Sequence, residues 1–277
     1  MRPDIRHVEC KKILTRTGGF LYSFTHTLNP YAGCAFGANG CGVYCYVAES
    51  PIGRHARAPW GLWVDAKTNA ASKLKAELSR KMDCRRLRIF MGSSTDPYQP
   101  AECQLKITRA VLTVLRSFEV GLLVIQTRSP LVERDYDLLA EMPFAWLSMT
   151  VETDDDKIRR ALTPTCPSIG RRVLAMVNAR RFGIKVQAAV SPVLPHDPLT
   201  FANLLARSAD RVVVDTFVSG DGAKGRRTSR RPLPAQYRQM KWSDWRDETT
   251  ARTLYQTLRG RLGENRVAWS CDGFNDL

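Results

Sequence analysis

Six apolar, β-branched or aromatic runs mark the chain between residues 20 and 217: Phe20–Leu28, Leu87–Gly92, Gly121–Thr127, Phe144–Val151, Ile184–Ser191 and Arg211–Phe217. Runs of this length and composition predict strands. Between them the period changes to that of a helix. Ala70, Leu74, Leu78 and Met82 recur every fourth residue amid lysine and arginine, and Leu105, Leu112, Leu115 and Phe118 follow at mixed helical intervals. Val173, Met176 and Val177 form a third such stripe, closed off by Gly183. Strand alternating with helix predicts parallel β-α units, and six of them predict an α/β fold of the incomplete (β/α)6 TIM-like barrel type, with a doubly wound sheet as the rival. In either fold the chemistry belongs to the loops that leave the carboxyl ends of the strands.

The pattern changes after residue 217. A polar, basic loop is followed by Trp242, Trp245, a helical stretch near Glu248–Leu262 and the short apolar run Val267-Ala-Trp-Ser-Cys271. The expected organisation is a partial barrel over 1–217, with 218–277 a basic loop and C-terminal helical extension packing on it.

Composition adds two constraints. With 277 residues, 44% of them hydrophobic, the chain can fill a sizeable core. No stretch approaches the ~20 uninterrupted apolar residues of a membrane helix, and Met1-Arg-Pro-Asp-Ile-Arg lacks the apolar run of a secretory signal. A reducing cytoplasm is the expected compartment, in which the eight cysteines serve as thiols or ligands. Charge is the second constraint: 42 Lys+Arg against 27 Asp+Glu leave a net +15. Such an excess favours polyanionic partners, nucleic acid first among them. The run Lys224-Gly-Arg-Arg-Thr-Ser-Arg-Arg231 makes Arg226, Arg227, Arg230 and Arg231 candidate phosphate contacts, against the alternative of a solvated surface loop.

The densest chemistry lies just after the first predicted strand, where Cys34, Cys41 and Cys45 fall within twelve residues. Three thiolates can hold three corners of a four-iron cubane and leave one iron open. A structural zinc site needs a fourth ligand, which His26 or His55 would have to provide, because Cys10, Cys84, Cys103, Cys166 and Cys271 are scattered singly. Gly33, Gly37, Gly40 and Gly42 let the backbone bend around an inorganic core, so a metal or cluster, zinc included, is a better reading than three buried small hydrophobes. The four histidines sit in no triad-like or paired-metal spacing.

Five ordered motifs narrow the choice. Asn29-Pro-Tyr-Ala-Gly-Cys34, Tyr44-Cys45-Tyr46, Thr95-Asp-Pro-Tyr-Gln-Pro-Ala-Glu102, Thr127-Arg-Ser-Pro-Leu-Val-Glu-Arg-Asp135 and Ser148-Met-Thr150 stand in succession over more than half the chain. Together they resemble the radical S-adenosylmethionine (SAM) superfamily, in its spore photoproduct lyase-like (DNA repair photolyase-like) group. The resemblance implies a [4Fe-4S] cluster on Cys34, Cys41 and Cys45, with SAM chelating the fourth iron. It implies reductive cleavage of SAM to a 5′-deoxyadenosyl radical that takes hydrogen from a substrate, and an electron donor such as flavodoxin or ferredoxin. Tyr46, Ser94, Arg128 and Ser148 are the implied SAM contacts, and Tyr44 and Tyr46 candidate hydrogen relays. A lyase-like enzyme acting on nucleic acid is the expectation; a non-catalytic zinc- or cluster-containing nucleic-acid-binding protein and a radical SAM enzyme acting on a peptide or protein are the alternatives.

Two departures accompany the likeness. The group spaces its cysteines by three and then two residues, whereas here six and then three intervene. Ser93 also stands where spore photoproduct lyase has its hydrogen-donating cysteine, and a hydroxyl bond is too strong to quench a carbon radical.

Overall fold

The computed structural model describes residues 3–37, 41–54, 56–81 and 83–277. Gly40, His55 and Met82, singled out above, lie outside the described residues. Seven parallel strands stand side by side in one sheet: β3 (His26–Leu28), β6 (Arg88–Met91), β7 (Leu122–Thr127), β8 (Ala145–Thr150), β9 (Lys185–Val190), β10 (Arg211–Val214) and β11 (Val267–Trp269). An eighth, β2 (Leu14–Arg16), runs antiparallel along the β3 edge.

The central strands read as almost continuous apolar runs because both faces are covered, as parallel sheets require. Register sets the two faces apart. Ile89, Leu123, Ile125, Leu147 and Met149 pack outward on the helices, while Phe90, Val124, Ala189 and Val213 point into the barrel and meet Phe24 and Phe274. The predicted helical stripes fall on helices Ala70–Ser79, Ile107–Arg116 and Ile169–Arg181, except that Leu105 ends a separate short helix, Glu102–Leu105, and Phe118 lies just past the second helix. Gly183, at φ +75°, lets the chain turn back after the last of these.

The barrel is open, as the six-unit pattern implies. β2 and β11 are the sheet's two edges, and side chains rather than a strand ladder join them. Asn275, in the final helix Ser270–Asn275, donates to the Phe20 carbonyl (2.7 Å) and accepts from the Ser23 amide (2.8 Å). Phe274 packs on Phe20 with ring centroids 5.7 Å apart. The segment beyond 217 therefore does more than lie on the barrel: β11 lengthens the sheet beside β10, and the last helix plugs the gap.

Two features differ from the sequence reading. Of the strand expected over Phe20–Leu28 only β3 forms; Gly19–Leu21 is a 3-10 turn, begun by Gly19 at φ +66°. A second, three-stranded sheet, β1 (Asp4–Val8), β5 (Trp63–Lys67) and β4 (Tyr31–Cys34) in the order β1-β5-β4, has no counterpart in the predicted elements. Its strands are only four or five residues long and paired across distant sequence, so no local period reveals them. Among the described residues no helix is long and apolar enough to cross a membrane.

Candidate active site

Cys34 ends β4, and the small sheet fixes its position. Gly33, at φ +80°, lies so close to β5 that a Cβ there would stand 2.4 Å from the Trp63 carbonyl oxygen. Only glycine permits that approach, and Cys34 is consequently buried beside Phe36, whose amide N–H donates to its sulfur (3.4 Å). Cys41 and Cys45 lie further along the loop and line a cavity of about 480 Å3 at the carboxyl ends of the parallel strands.

The three thiols influence one another. Burial, reinforced by the proximity of Cys41, pushes the Cys34 thiol well above its usual range. A hydrogen bond with Cys166 pulls Cys41 down, but the bond with Cys45 and burial together prevail and push it up to about 12. Cys45 is lowered, chiefly by its bond with Cys41. Ionising all three in so dry a place requires a strongly cationic partner, which iron of a cluster provides. Among the described residues there is no group of three His, Cys, Asp or Glu side chains that could hold one metal ion. A cubane makes a different demand, since each thiolate binds its own iron. The donor set of three thiols on a glycine-bent loop, one of them receiving an amide N–H, fits such a cluster.

Loops after β6 and β7 build the adjoining wall. Asp96, half-buried at the cavity wall and raised by desolvation above the usual carboxylate range, accepts from the Tyr98 amide (2.8 Å), the Thr127 hydroxyl (2.6 Å) and the Arg128 amide (2.9 Å). One carboxylate thus ties the two loops together. Asn29 does the same for the serines, donating to the Ser93 hydroxyl (3.1 Å) and accepting from the Ser94 amide (3.3 Å). Ser93, Ser94 and Arg128 all line the cavity.

On the other side, at the end of β10, Asp215 accepts from the Ser270 hydroxyl (2.8 Å), the Thr216 amide (2.8 Å) and the Ser191 hydroxyl (3.2 Å). Ser270 adopts φ +47°, unusual for a residue with a side chain, to make its bond. A Cβ on Gly220 would stand 2.5 Å from the Asp215 carboxylate. Burial raises Asp215 to about 6, so this carboxyl at the cavity wall changes charge near neutrality.

The other candidates are placed as follows. Tyr44 and Tyr46 line the cavity, but the Tyr44 hydroxyl is committed to Glu152 (3.0 Å), while burial raises the Tyr46 phenol to about 12. Ser148 is fully buried, one pleat repeat before the cavity-lining Thr150 on β8, and its hydroxyl accepts from Gln187 (2.9 Å). The four arginines separate. Asp221 gathers the amides of Ala223, Gly225, Arg227 and Thr228 and folds the basic loop over the cavity. Arg227 lines the cavity, Arg231 pairs with Glu49 (3.7 Å), and Arg226 and Arg230 remain exposed.

Superposition on solved structures bears directly on this arrangement. Spore photoproduct lyase with bound AdoMet and dinucleoside spore photoproduct matches over 96% of this chain and 80% of its own, with a TM-score of 0.63 at 12% identity. SuiB of Streptococcus suis, bound to its precursor peptide SuiA, matches over 90% of this chain and 49% of its own, with a TM-score of 0.52 at 13% identity.

The chain has the radical SAM fold of spore photoproduct lyase.

Curated relatives are more similar in sequence. An uncharacterised protein of Methanocaldococcus jannaschii is 29% identical over 171 residues, 61% of either chain, and one of Mycobacterium tuberculosis is 26% identical over 193 residues, 68% of this chain. The matched part spans 61% of the first relative and 55% of the second. No protein-family model matches the chain.

Within this radical SAM fold, several residues at the site were invisible in the sequence pattern. Glu152, two residues beyond β8, receives Arg128 (2.7 Å), Arg172 (2.6 Å) and Tyr44 (3.0 Å). Burial opposes its ionisation, yet Arg172 and Arg128 overcome it and hold the carboxyl at about 2. Arg172 is fully buried on the core face of a helix whose period marks that position as apolar. Cys166, scattered in sequence, donates to the Cys41 carbonyl (2.9 Å) and accepts from Arg128 (3.6 Å). Charge at core positions of the helical stripe was the one available signal for Arg172; nothing local marks Cys166.

Proposed function

We propose that this protein is a radical SAM enzyme whose substrate is related to nucleic acid. The observation that carries the reading is that Cys41 and Cys45 line a cavity at the carboxyl ends of the strands while Cys34 lies buried in the cluster packed against them. When bound there, a reduced [4Fe-4S] cluster with one open iron supplies the electron that cleaves SAM to methionine and a hydrogen-abstracting 5′-deoxyadenosyl radical.

The chain's own groups have separable tasks. Cys34, Cys41 and Cys45 hold the metal. Ser94 and the free edge of Arg128 offer a hydroxyl and N–H donors to the amino-acid portion of SAM, and Ser148 backs the β8 wall. The phenol of Tyr46, which unlike Tyr44 is not tied to Glu152, is the better placed to pass a hydrogen atom. Asp215 and Arg227 face the remaining space, where a substrate enters. Ser93 rather than a thiol stands in the β6 loop, so the step after hydrogen abstraction differs from that of a cysteine-dependent lyase. Exposed Arg226 and Arg230 contribute phosphate contacts, and a small acidic flavodoxin or ferredoxin in a reducing cytoplasm is the fitting electron source for so basic a protein.

The test is chemical. Anaerobically reconstituted protein is expected to hold iron and sulfide, to absorb broadly as iron–sulfur proteins do, and to form 5′-deoxyadenosine from SAM on reduction, with Cys41→Ala losing all three. A colourless preparation holding zinc without sulfide overturns the reading in favour of a binding module. The peptide alternative draws support from the SuiB-like fold; it gains if 5′-deoxyadenosine formation is stimulated by peptides and unaffected by oligonucleotides.

A further inference from the structure

We propose that Arg128 tunes the reduction potential of the cluster from beside Cys41, and that Glu152 is the positioning residue that holds it there. This rests on the radical SAM reading above. The Arg128 Nη1 group touches Glu152 Oε1 (2.7 Å) and Cys166 Sγ (3.6 Å) at once, and Cys166 in turn donates to the Cys41 carbonyl (2.9 Å). A chain of contacts therefore runs from Glu152 through one guanidinium and one thiol to a cluster ligand.

Burial makes the arrangement consequential. The side chain of Glu152 is 1% exposed, that of Arg172 0% and that of Arg128 14%. Arg172 grips the far oxygen of Glu152 (2.6 Å) and the Thr150 carbonyl (2.8 Å), so the carboxylate cannot swing away from Arg128. One negative charge faced by two positive charges leaves one positive charge in excess, and it lies against the Cys166 sulfur, one contact away from Cys41. Cluster potentials depend on net charge as well as on hydrogen bonding and exclusion of solvent, and Arg128 contributes its charge, its sulfur contact being to Cys166 rather than to a ligand. In this place positive charge stabilises the reduced cluster, which carries one more electron, and Glu152 partly offsets that effect.

The experiment compares wild type with Glu152→Gln, Arg128→Met, Arg128→Lys and Cys166→Ser after anaerobic reconstitution. Iron and sulfide are counted first, and the midpoint potential is then measured by EPR-monitored titration without SAM. The order expected is by charge: Glu152→Gln shifts the midpoint upward, Arg128→Met shifts it downward, and Arg128→Lys stays near wild type. Cys166→Ser, which alters no formal charge, shifts it less than Arg128→Met. Variants loaded with wild-type iron and sulfide that titrate at the wild-type midpoint, or Glu152→Gln and Arg128→Met shifting in the same direction, overturn the proposal while leaving the enzyme reading intact. Wild-type protein without sulfide overturns that reading and the proposal with it. Should Glu152→Gln fail to fold, the Arg128→Met and Arg128→Lys pair decides alone, since a role in packing alone does not separate a lost charge from a retained one.

Discussion

Two carboxylates at the site are set in opposite directions by their surroundings, and each leaves a mark on stability against pH. Glu152, held at about 2 against an ordinary value of 4.5, stabilises the folded state above the unfolded value, and that contribution disappears as pH falls through about 2. Acid unfolding followed by circular dichroism is expected to be steeper in wild type than in Glu152→Gln over that window, although the variant is the less stable at pH 7. Asp215 behaves in the reverse sense. Raised from 3.8 to about 6, it is stabilising when protonated, and its contribution is lost as pH rises from the unfolded value through 6. A shift of that size corresponds to about 3 kcal/mol. Asp215→Asn is expected to flatten the fall in unfolding free energy between pH 4 and 7, and a slope equal to wild type would show that Asp215 is ionised throughout.

At the scale of elements, the small sheet is what delivers Cys34. Its strand ends where the backbone of Gly33 is pressed against Trp63, and alanine there meets both a left-handed φ and an overlapping carbonyl. Gly33→Ala is expected to cost more than the ~1 kcal/mol of an ordinary left-handed position, and to lower iron retained after reconstitution. The measurement is a urea midpoint beside an iron count; normal loading at normal stability would detach the β4–β5 contact from the site. The last helix acts on the opposite edge. Asn275→Ala leaves the Ser23 amide without its partner and the Phe20 carbonyl with only the weak Cys271 thiol donor, a loss of about 1 kcal/mol or more. Thermal unfolding should register it, and an unchanged melting temperature would mean that the barrel gap needs no bridge.

Charge acts at the scale of the molecule. A net +15 creates a field that any polyanion feels, but the arginines of the basic loop are not equivalent within it. Arg226 and Arg230 are exposed, whereas Arg231 is latched to Glu49, just beyond Cys45. Replacing Arg226 and Arg230 by alanine is expected to reduce the slope of log affinity for single-stranded DNA against log salt by about 1.4, two released counterions at about 0.7 each. Replacing Arg231 is expected to leave the slope nearly unchanged. Equal effects from both changes would show the loop to be unfolded on the nucleic acid.

What the sequence determined by itself was whatever is written in neighbouring residues. Apolar runs separated by helical stripes specified the parallel strands from β6 to β10 and the open barrel, and cysteines close in sequence, with glycines between, marked the loop proposed to hold the cluster. The three-stranded sheet, β11 as a member of the barrel, the hub of Glu152 with Arg128 and Arg172, and the approach of Cys166 to Cys41 were decided only by tertiary structure. Each joins residues tens to hundreds of positions apart. Periodicity reports which face of an element is apolar, but not which distant charge neutralises a buried one, because that pairing arises only once folding has removed both groups from water.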